Sequence, residues 1–288
     1  MRKVLSGSSL TVLALVAAGF VGVATPVAAT LSLADLAPYL GDRLEARVVD
    51  VSTGGEVSRL LVSRISSATA DLALESLETG GSYRVDVYID RNGNGRYDRP
   101  PEDAAWRILL GAPADLSFSA AAESMVDIDW PPAADGAIGF GEYRNVLVDP
   151  ETGMTLLWQN DATTLYVGLV SPGTGWGAVG FGAENKMAGA NIVIGAVTDR
   201  TLTLQDHFGT GPTSHREDKA SSLLQRAGSE FEGKTILEFA LPLASSDPED
   251  VSLSPGQGVV VILAFHATSD DLTKRHTGRS TVGITLDQ

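Results

Sequence analysis

The chain contains no cysteine among its 288 residues, and this absence limits its chemistry more than any residue that is present. Without a thiol there is no disulfide, no thiolate nucleophile, no iron–sulfur centre and no Cys-x-x-Cys-His attachment site. The fold must therefore be stabilised by its core. Hydrophobic residues make up 43% of the chain, which is ample for a core in a protein of this length.

Basic residues are also scarce, since 21 Lys and Arg stand against 36 Asp and Glu and give a net charge of −15. This balance disfavours nucleic acid as a partner, because phosphate backbones are bound by clustered cations. The Gly-x-Ser-x-Gly elbow and the His-Glu-x-x-His zinc motif are both missing. Without a hydrolase constellation, the sequence favours a binding or electron-transfer protein over an enzyme.

The first 29 residues are typical of a secretory signal. Arg2 and Lys3 precede an apolar run over residues 10–23, and small residues around Pro26 follow. We expect cleavage after Ala29 and export to the periplasm or the cell exterior. An uncleaved membrane anchor over residues 10–29 is the alternative, since that stretch is just long enough to span a bilayer.

Residues 30–130 show the period of two that is typical of half-buried strands. Apolar and polar residues alternate over residues 44–50, 72–74 and 83–90. Residues 130–136 then carry the proline and glycine of a connection. The pattern predicts an N-terminal β-sandwich domain over 30–130.

Residues 135–288 contain at least seven short strand candidates between Gly, Pro and Asp turns, the signature of a second β-sandwich. Apart from the signal, a 3.6-residue period is weak everywhere, and a short helix is predicted only over 220–226. The predicted fold is therefore all-β. The seven candidates lie at residues 155–158, 165–170, 178–181, 191–197, 201–205, 235–240 and 259–267.

The second half resembles the DOMON family, named after the N-terminal region of dopamine β-monooxygenase and shared with the cytochrome domain of cellobiose dehydrogenase. The matching pieces occur in the family's order over about half the chain. They are Asp135-Gly136, Leu157-Trp158-Gln159-Asn160-Asp161, residues 175–182 with Gly-Trp-Gly-Ala-Val-Gly-Phe-Gly, residues 187–197, Leu237-Glu238-Phe239 and His276-Thr277-Gly278-Arg279.

The resemblance implies a haem site, because the family's cytochrome members bind haem b between a Met and a His. Met187 and His276 occupy the matching positions, and His266 is the second choice for the His. Trp176 and Arg279 would lie beside the haem, the latter near its propionates. The alternatives are a core methionine and an exposed loop histidine. His207 and His215 are interpreted as polar loop residues.

Met/His ligation leaves no open position on the iron, so the chemistry implied is one-electron transfer, with a redox protein or membrane cytochrome as partner. The alternative is a non-catalytic module without haem that binds an extracellular carbohydrate. Its stacking side chains would be Trp158, Trp176, Tyr143 and Tyr166, although aromatics at such spacing also build sandwich cores.

A second motif follows a predicted strand of the N-terminal domain. Asp90, Asn92, Asn94, Arg96 and Asp98 occupy positions 1, 3, 5, 7 and 9 of a calcium loop, with Gly95 at the sharp turn. Position 12 holds Pro101 where a bidentate Glu is usual, so Glu102 or Asp103 would have to replace it. The pattern indicates a Ca²⁺ site, and a glycine-rich hairpin turn is the alternative.

Overall fold

The computed structural model describes residues 26–288, which form strands and two short 3₁₀ helices. The predicted signal lies outside these residues except for 26–29, which begin the first strand. Ala29, after which cleavage was predicted, is buried in that strand. No helix within residues 26–288 is long and apolar enough to cross a membrane.

The N-terminal domain packs a three-stranded sheet, ordered β4-β1-β7, against a four-stranded sheet, ordered β3-β2-β5-β6. The alternation predicted from sequence sends Leu44, Ala46 and Val48 into the core between the sheets. The strands are β1 Pro26–Ala34, β2 Arg43–Asp50, β3 Glu56–Val62, β4 Ala70–Glu78, β5 Tyr83–Asp90, β6 Ala104–Leu110 and β7 Leu116–Ser119, with 3₁₀ helices at Ala37–Tyr39 and Ala122–Ser124.

The C-terminal domain packs a five-stranded sheet, ordered β15-β16-β10-β9-β8, against a six-stranded sheet, ordered β14-β13-β12-β11-β17-β18. Its strands are β8 Asn145–Val148, β9 Thr155–Asn160, β10 Thr164–Pro172, β11 Gly177–Phe181, β12 Asn191–Thr198, β13 Thr201–Gly211, β14 Ser214–Glu217, β15 Gln225–Phe231, β16 Lys234–Pro242, β17 Gly258–Phe265 and β18 Gly278–Thr285.

Buried aliphatic residues hold the two C-terminal sheets together. Leu165, Val167 and Leu169 of β10 alternate into the core opposite Val179 and Val261 of the other sheet. Each contributes about 1.5–3 kcal/mol through burial. The all-β prediction with two sandwiches is confirmed.

One local prediction was wrong, because the segment expected as a helix over 220–226 is not helical. Residues 220–224 have no regular structure, and β15 begins at Gln225. The reason is a tertiary contact. The Ser222 amide and hydroxyl both donate to Asp206 at 2.9 Å, which fixes the backbone in a non-helical path.

The predicted connection after Trp130 is fastened to both domains. Arg59 donates to the Pro131 carbonyl at 2.8 Å from the N-terminal side. The Gly136 amide and the Tyr143 hydroxyl donate to Glu238 at 2.7 and 2.9 Å from the C-terminal side. Burial, and then the charge of Glu142, raises the pKa of Glu238 to about 7. These bonds fix the path of the chain between the domains.

Candidate functional site

The predicted ligands are described by the end of the six-stranded sheet at which each of them lies. At the first, β11 finishes at Phe181 opposite the start of β12 at Asn191, and we call it the Asn191 end. At the second, β17 finishes at Phe265 opposite the start of β11 at Gly177, and we call it the Phe265 end.

Met187 and His276 lie at opposite ends of this sheet, so the predicted pair of axial ligands is wrong. Met187 is in the loop beyond Phe181, where the neighbouring Gly189 and Ala190 bond to Gly209 of β13. His276 precedes Thr277, whose amide donates to the Phe265 carbonyl at 2.7 Å. The two loops are separated by five residues along the strands and by four strand spacings across the sheet, from β13 to β18. These separations correspond to a distance of about 25 Å. One haem iron cannot bind both.

The remaining predicted haem contacts lie at the Phe265 end, away from Met187. The Nδ1 atom of His266 accepts the amides of Thr268 and Ser269, so this ring organises its own loop. Trp176 is buried 6.5 Å from the His266 ring. Arg279 is exposed on β18 beside His276. Burial, followed by the charges of Arg279 and Arg275, lowers the pKa of His276.

The aromatic residues proposed for sugar stacking are core residues. Trp158 and Tyr143 are each 7% exposed and Trp176 is 4% exposed. The Trp158 indole donates to the Thr285 carbonyl at 3.0 Å, so its polar atom is used inside the domain. These three rings are not available to a ligand, and that part of the carbohydrate hypothesis was wrong.

The structure instead brings three carboxylates together at the Asn191 end. Asp206 lies on β13, Asp218 follows β14, and Asp250 lies in the segment between β16 and β17. One oxygen of each lies within 4.8 Å of the others. Two oxygens bound on opposite sides of one Ca²⁺ are also about 4.8 Å apart, since each bond is about 2.4 Å. A single ion can therefore contact all three.

Each of the three aspartates has at least one oxygen that is buried without a donor. Asp206 uses one oxygen for Ser222, but its other oxygen is buried without a partner. Both oxygens of Asp218 and one oxygen of Asp250 are also buried without a hydrogen-bond partner. Asn191 adds a buried amide oxygen without a partner, while its nitrogen donates to Asp250 at 2.9 Å. Buried oxygens without donors are costly unless a cation satisfies them.

The electrostatics of this cluster indicate a deficit of positive charge. Burial, followed by contact with the Glu249 carboxyl and the charge of Asp206, raises the pKa of Asp218 to about 7. Burial also raises the pKa of Asp206. The cation nearest to Asp218 is Arg216, which is 3.9 Å away and bonded more closely to Glu249. A proton or a metal ion must supply the missing charge.

Comparison with known proteins places this cluster inside a characterised module. Residues 150–266 match the family model described as the DOMON domain. The chain carries a DOMON domain. Its matched segment includes Met187, Asn191 and the three clustered aspartates, and ends before His276.

Two animal proteins match about half of this chain. The chain is 30% identical over 136 residues to mouse DBH-like monooxygenase protein 1, and 29% identical over 136 residues to the human protein of that name. The match covers 47% of this chain and 22% of each relative, so the chain spans about a fifth of their length.

Two solved structures are similar at 15% sequence identity each. The cytochrome b domain of pyranose dehydrogenase from Coprinopsis cinerea has a TM-score of 0.41, with 49% of this chain and 80% of that chain covered. The cytochrome domain of Myriococcum thermophilum cellobiose dehydrogenase has a TM-score of 0.38, with 50% and 88% covered.

Sequence reasoning missed the carboxylates of the DOMON domain, although one signal was present. Leu202, Leu204, Asp206 and Phe208 occupy alternate positions of β13, so Asp206 is an acid in a row of apolar residues. An inward-facing carboxylate in a strand needs a partner. Asp218 and Asp250 gave no such signal, because both lie in irregular segments.

The predicted calcium loop lies outside the DOMON domain, and its side chains bond to one another and to the loop backbone. Asp98 Oδ2 accepts the amides of Asn92 and Asn94 at 2.9 and 2.5 Å. Asp90 accepts the backbone amides of Gly93, Asn94 and Gly95. Arg96 contributes its backbone amide to Asn94. These hydrogen bonds are internal to the loop, and Ca²⁺ binding to it stays a prediction.

Asp103, one of the two acids proposed to replace the Glu of position 12, bonds back to the loop. It is buried and accepts the amides of Arg91 and Asp98 at 3.0 and 2.8 Å. Burial raises the pKa of Asp103. At Asp98 burial acts in the same direction, but hydrogen bonds from Asn92 and Asn94 outweigh it and lower the pKa.

If this loop binds Ca²⁺, the N-terminal domain should unfold at a higher temperature in calcium than in chelator. The gain is about 2.7 kcal/mol at a hundredfold excess over the dissociation constant. Scanning calorimetry of the full chain measures it. Asp98→Ala should abolish the gain, and Asp115→Ala is the control outside the loop. Equal unfolding temperatures in both buffers would leave the segment as a hairpin turn.

Proposed function

We propose that the protein is an exported, non-catalytic binding protein whose DOMON domain holds one Ca²⁺ ion at the Asn191 end. The observation that carries this proposal is the meeting of Asp206, Asp218 and Asp250 within 4.8 Å, together with buried oxygens on these residues and on Asn191 that have no partner. Three carboxylates and an amide oxygen in one place serve a hard cation better than any apolar or anionic ligand.

Calcium is the ion that best fits these ligands. All are oxygens, which disfavours the softer transition metals that prefer His and Cys. They come from four separate segments of the chain, and Ca²⁺ tolerates the irregular geometry that results better than Mg²⁺ does. Export, predicted from residues 1–29, would expose the site to the calcium levels at which weak extracellular sites are occupied.

The ion would hold the loops of the Asn191 end in one arrangement. It would join β12, β13 and the two segments that carry Asp218 and Asp250, which belong to distant parts of the sequence. Protein binding surfaces are frequently loops positioned on a rigid sandwich. We therefore assign the cation a structural role beneath a binding surface, with no reaction attached.

Calcium binding should be coupled to proton release. The pKa of Asp218 is raised to about 7 in the ion-free protein, and Ca²⁺ requires the carboxylate. Below pH 7 the affinity should fall about tenfold per pH unit as a proton competes, and above pH 7 it should level off. Calorimetric titration of the full chain with CaCl₂ at several pH values, in buffers of different ionisation enthalpy, measures both effects.

The matched variants for this titration are Asp218→Asn and Asp199→Asn. Asp199 is an exposed turn residue between β12 and β13 and should leave binding unchanged. Asp218→Asn should remove one binding event and its proton release. Any binding by the Asp90 loop would persist in Asp218→Asn. A titration that is identical in wild type and Asp218→Asn would overturn the proposal.

One-electron transfer by haem b, with a redox protein as partner, is the second candidate. One observation favours haem binding by Met187 with His207, in place of His276, as the second ligand. The Met187 loop lies against β13, two residues from His207, whose Nδ1 is 2.9 Å from Nδ1 of His215. Burial, followed by the charge of His215, lowers the pKa of His207 to about 4, so this ring is neutral and able to bind a metal.

Titration of the ion-free protein with haemin tests this candidate. Under the leading proposal the Soret band stays that of free haemin. Under the second, a low-spin spectrum should form and be lost in Met187→Ala and His207→Ala, while His276→Ala, at the opposite end of the sheet, retains it. A spectrum lost in His276→Ala would contradict the separation of the two ends.

A further inference from the structure

We propose that the cleft between the two domains binds a small organic carboxylate, through Arg43, Arg96 and Arg144. The cleft encloses about 260 Å³. One wall is the outer face of β2 and β3, another is the loop that follows β5, and the third is the connection between the domains. This site is separate from the cation cluster.

Arginine is concentrated here although the protein as a whole is strongly acidic. Four guanidinium groups line the cleft. Arg59 already has partners within the protein, since it binds Glu56 through two nitrogens and lies 4.9 Å from the centre of the Trp130 ring. The other three have donors to spare.

Each of these three arginines lacks the partners that a guanidinium can take. Arg43 contacts Glu45 at 2.5 Å, but its Nε is buried without a hydrogen bond. Arg96 is 3.7 Å from Asp98, too far for a strong bond. Arg144 has neither a hydrogen bond nor a salt bridge within residues 26–288, and its side chain is exposed. Together they leave positive charge and N–H donors facing the cleft.

Four arginines line the cleft against three carboxylates, so its lining keeps an excess of positive charge, and these carboxylates already accept other donors. Glu45 accepts the Tyr88 hydroxyl at 2.9 Å in addition to Arg43. Glu142 accepts the amides of Ala133 and Gly139 at 3.0 and 2.7 Å. Asp135 accepts the Ala137 amide at 2.8 Å. A ligand therefore meets free donors and few free acceptors, which selects an anion.

The shape and edges of the cleft limit the rest of the ligand. The volume is below that of pockets for drug-sized molecules, which start at about 300 Å³, and suits a single substituted ring. Phe140 is 77% exposed and Leu61 is 57% exposed among the lining residues, and they offer apolar contact to one face of a ring. Planar guanidinium groups recognise carboxylates by paired hydrogen bonds. A ring bearing one carboxylate, such as a hexuronic acid, satisfies these conditions.

The test uses D-glucuronate as the probe and D-glucose as its neutral counterpart, since the two differ only where a carboxylate replaces a hydroxymethyl group. Trp130 reports binding by fluorescence, because it lines the cleft and is the one partly exposed tryptophan of the four. We expect saturable quenching with glucuronate and none with glucose at equal ionic strength, confirmed by calorimetry.

Arg96→Ala and Arg144→Ala should each weaken glucuronate binding by about tenfold or more, the effect of losing one hydrogen bond to a charged group. Arg64→Ala replaces an exposed arginine outside the cleft and should bind like wild type. Asp218→Asn should also bind glucuronate normally, which separates this result from the fate of the cation site. Equal responses to glucuronate and glucose, or unchanged binding in both cleft variants, would overturn the proposal.

Discussion

Asp86→Asn should lower the free energy of unfolding of the N-terminal domain by about 3–5 kcal/mol, the usual cost of removing one partner from a buried ion pair. Asp86 is completely buried on β5. Its two oxygens accept Arg107 at 2.7 Å and Arg47 at 3.1 Å, and Arg84 lies 3.3 Å away. Asparagine keeps the size of the side chain but removes the counter-charge of Arg84, and leaves Arg47 and Arg107 with only Glu56 and Asp129, each 3.8 Å away.

Denaturation in urea measures this loss, with Asp71→Asn as the matched control. Asp71 is exposed on β4 of the same domain and accepts one hydrogen bond, from Ser32 at 2.7 Å. Its replacement should cost no more than about 1 kcal/mol. If both variants lose the same small amount, the arginines around Asp86 must find other partners or water in the folded protein.

Saturating Ca²⁺ should raise the unfolding temperature of the DOMON domain by about 5–10 °C. A hundredfold excess over the dissociation constant contributes about 2.7 kcal/mol, and a domain of this size gains about 2–4 °C per kcal/mol. Differential scanning calorimetry in calcium and in chelator gives the shift. Asp206→Asn should abolish it, while Asp199→Asn retains it.

Without Ca²⁺, replacing a carboxylate of this cluster should have the opposite effect on stability. In chelator Asp218→Asn should be at least as stable as wild type above pH 7, because it removes a buried negative charge from beside Asp206 and Glu249. For wild type without Ca²⁺, the raised pKa of Asp218 means that the contribution of this one group to stability is fully present below about pH 4 and is lost as the pH rises through 7. Loss of stability in the variant at every pH would indicate a packing role for Asp218.

The alternation of apolar residues in the sequence by itself determined the strands and the all-β class. Leu165, Val167 and Leu169 recur at a period of two, and only a strand places such residues on one buried face. The order of short motifs around Trp158, Trp176 and Met187 likewise indicated a DOMON domain from the sequence alone. Both signals are local, so no knowledge of pairing was needed.

The candidate sites depended on which strands pair and in which direction, and only the tertiary structure decided that. Met187 and His276 looked equivalent as loop residues, but the antiparallel register of β11 with β17 sends their loops to opposite ends of the sheet. Asn191, Asp206, Asp218 and Asp250 are spread over 60 residues and meet because β12 and β13 pair beside the segment that carries Asp250. Side chains brought together by long-range pairing leave no periodic trace in the sequence, whereas the Asp90 loop, built from neighbouring residues, could be recognised from its spacing alone.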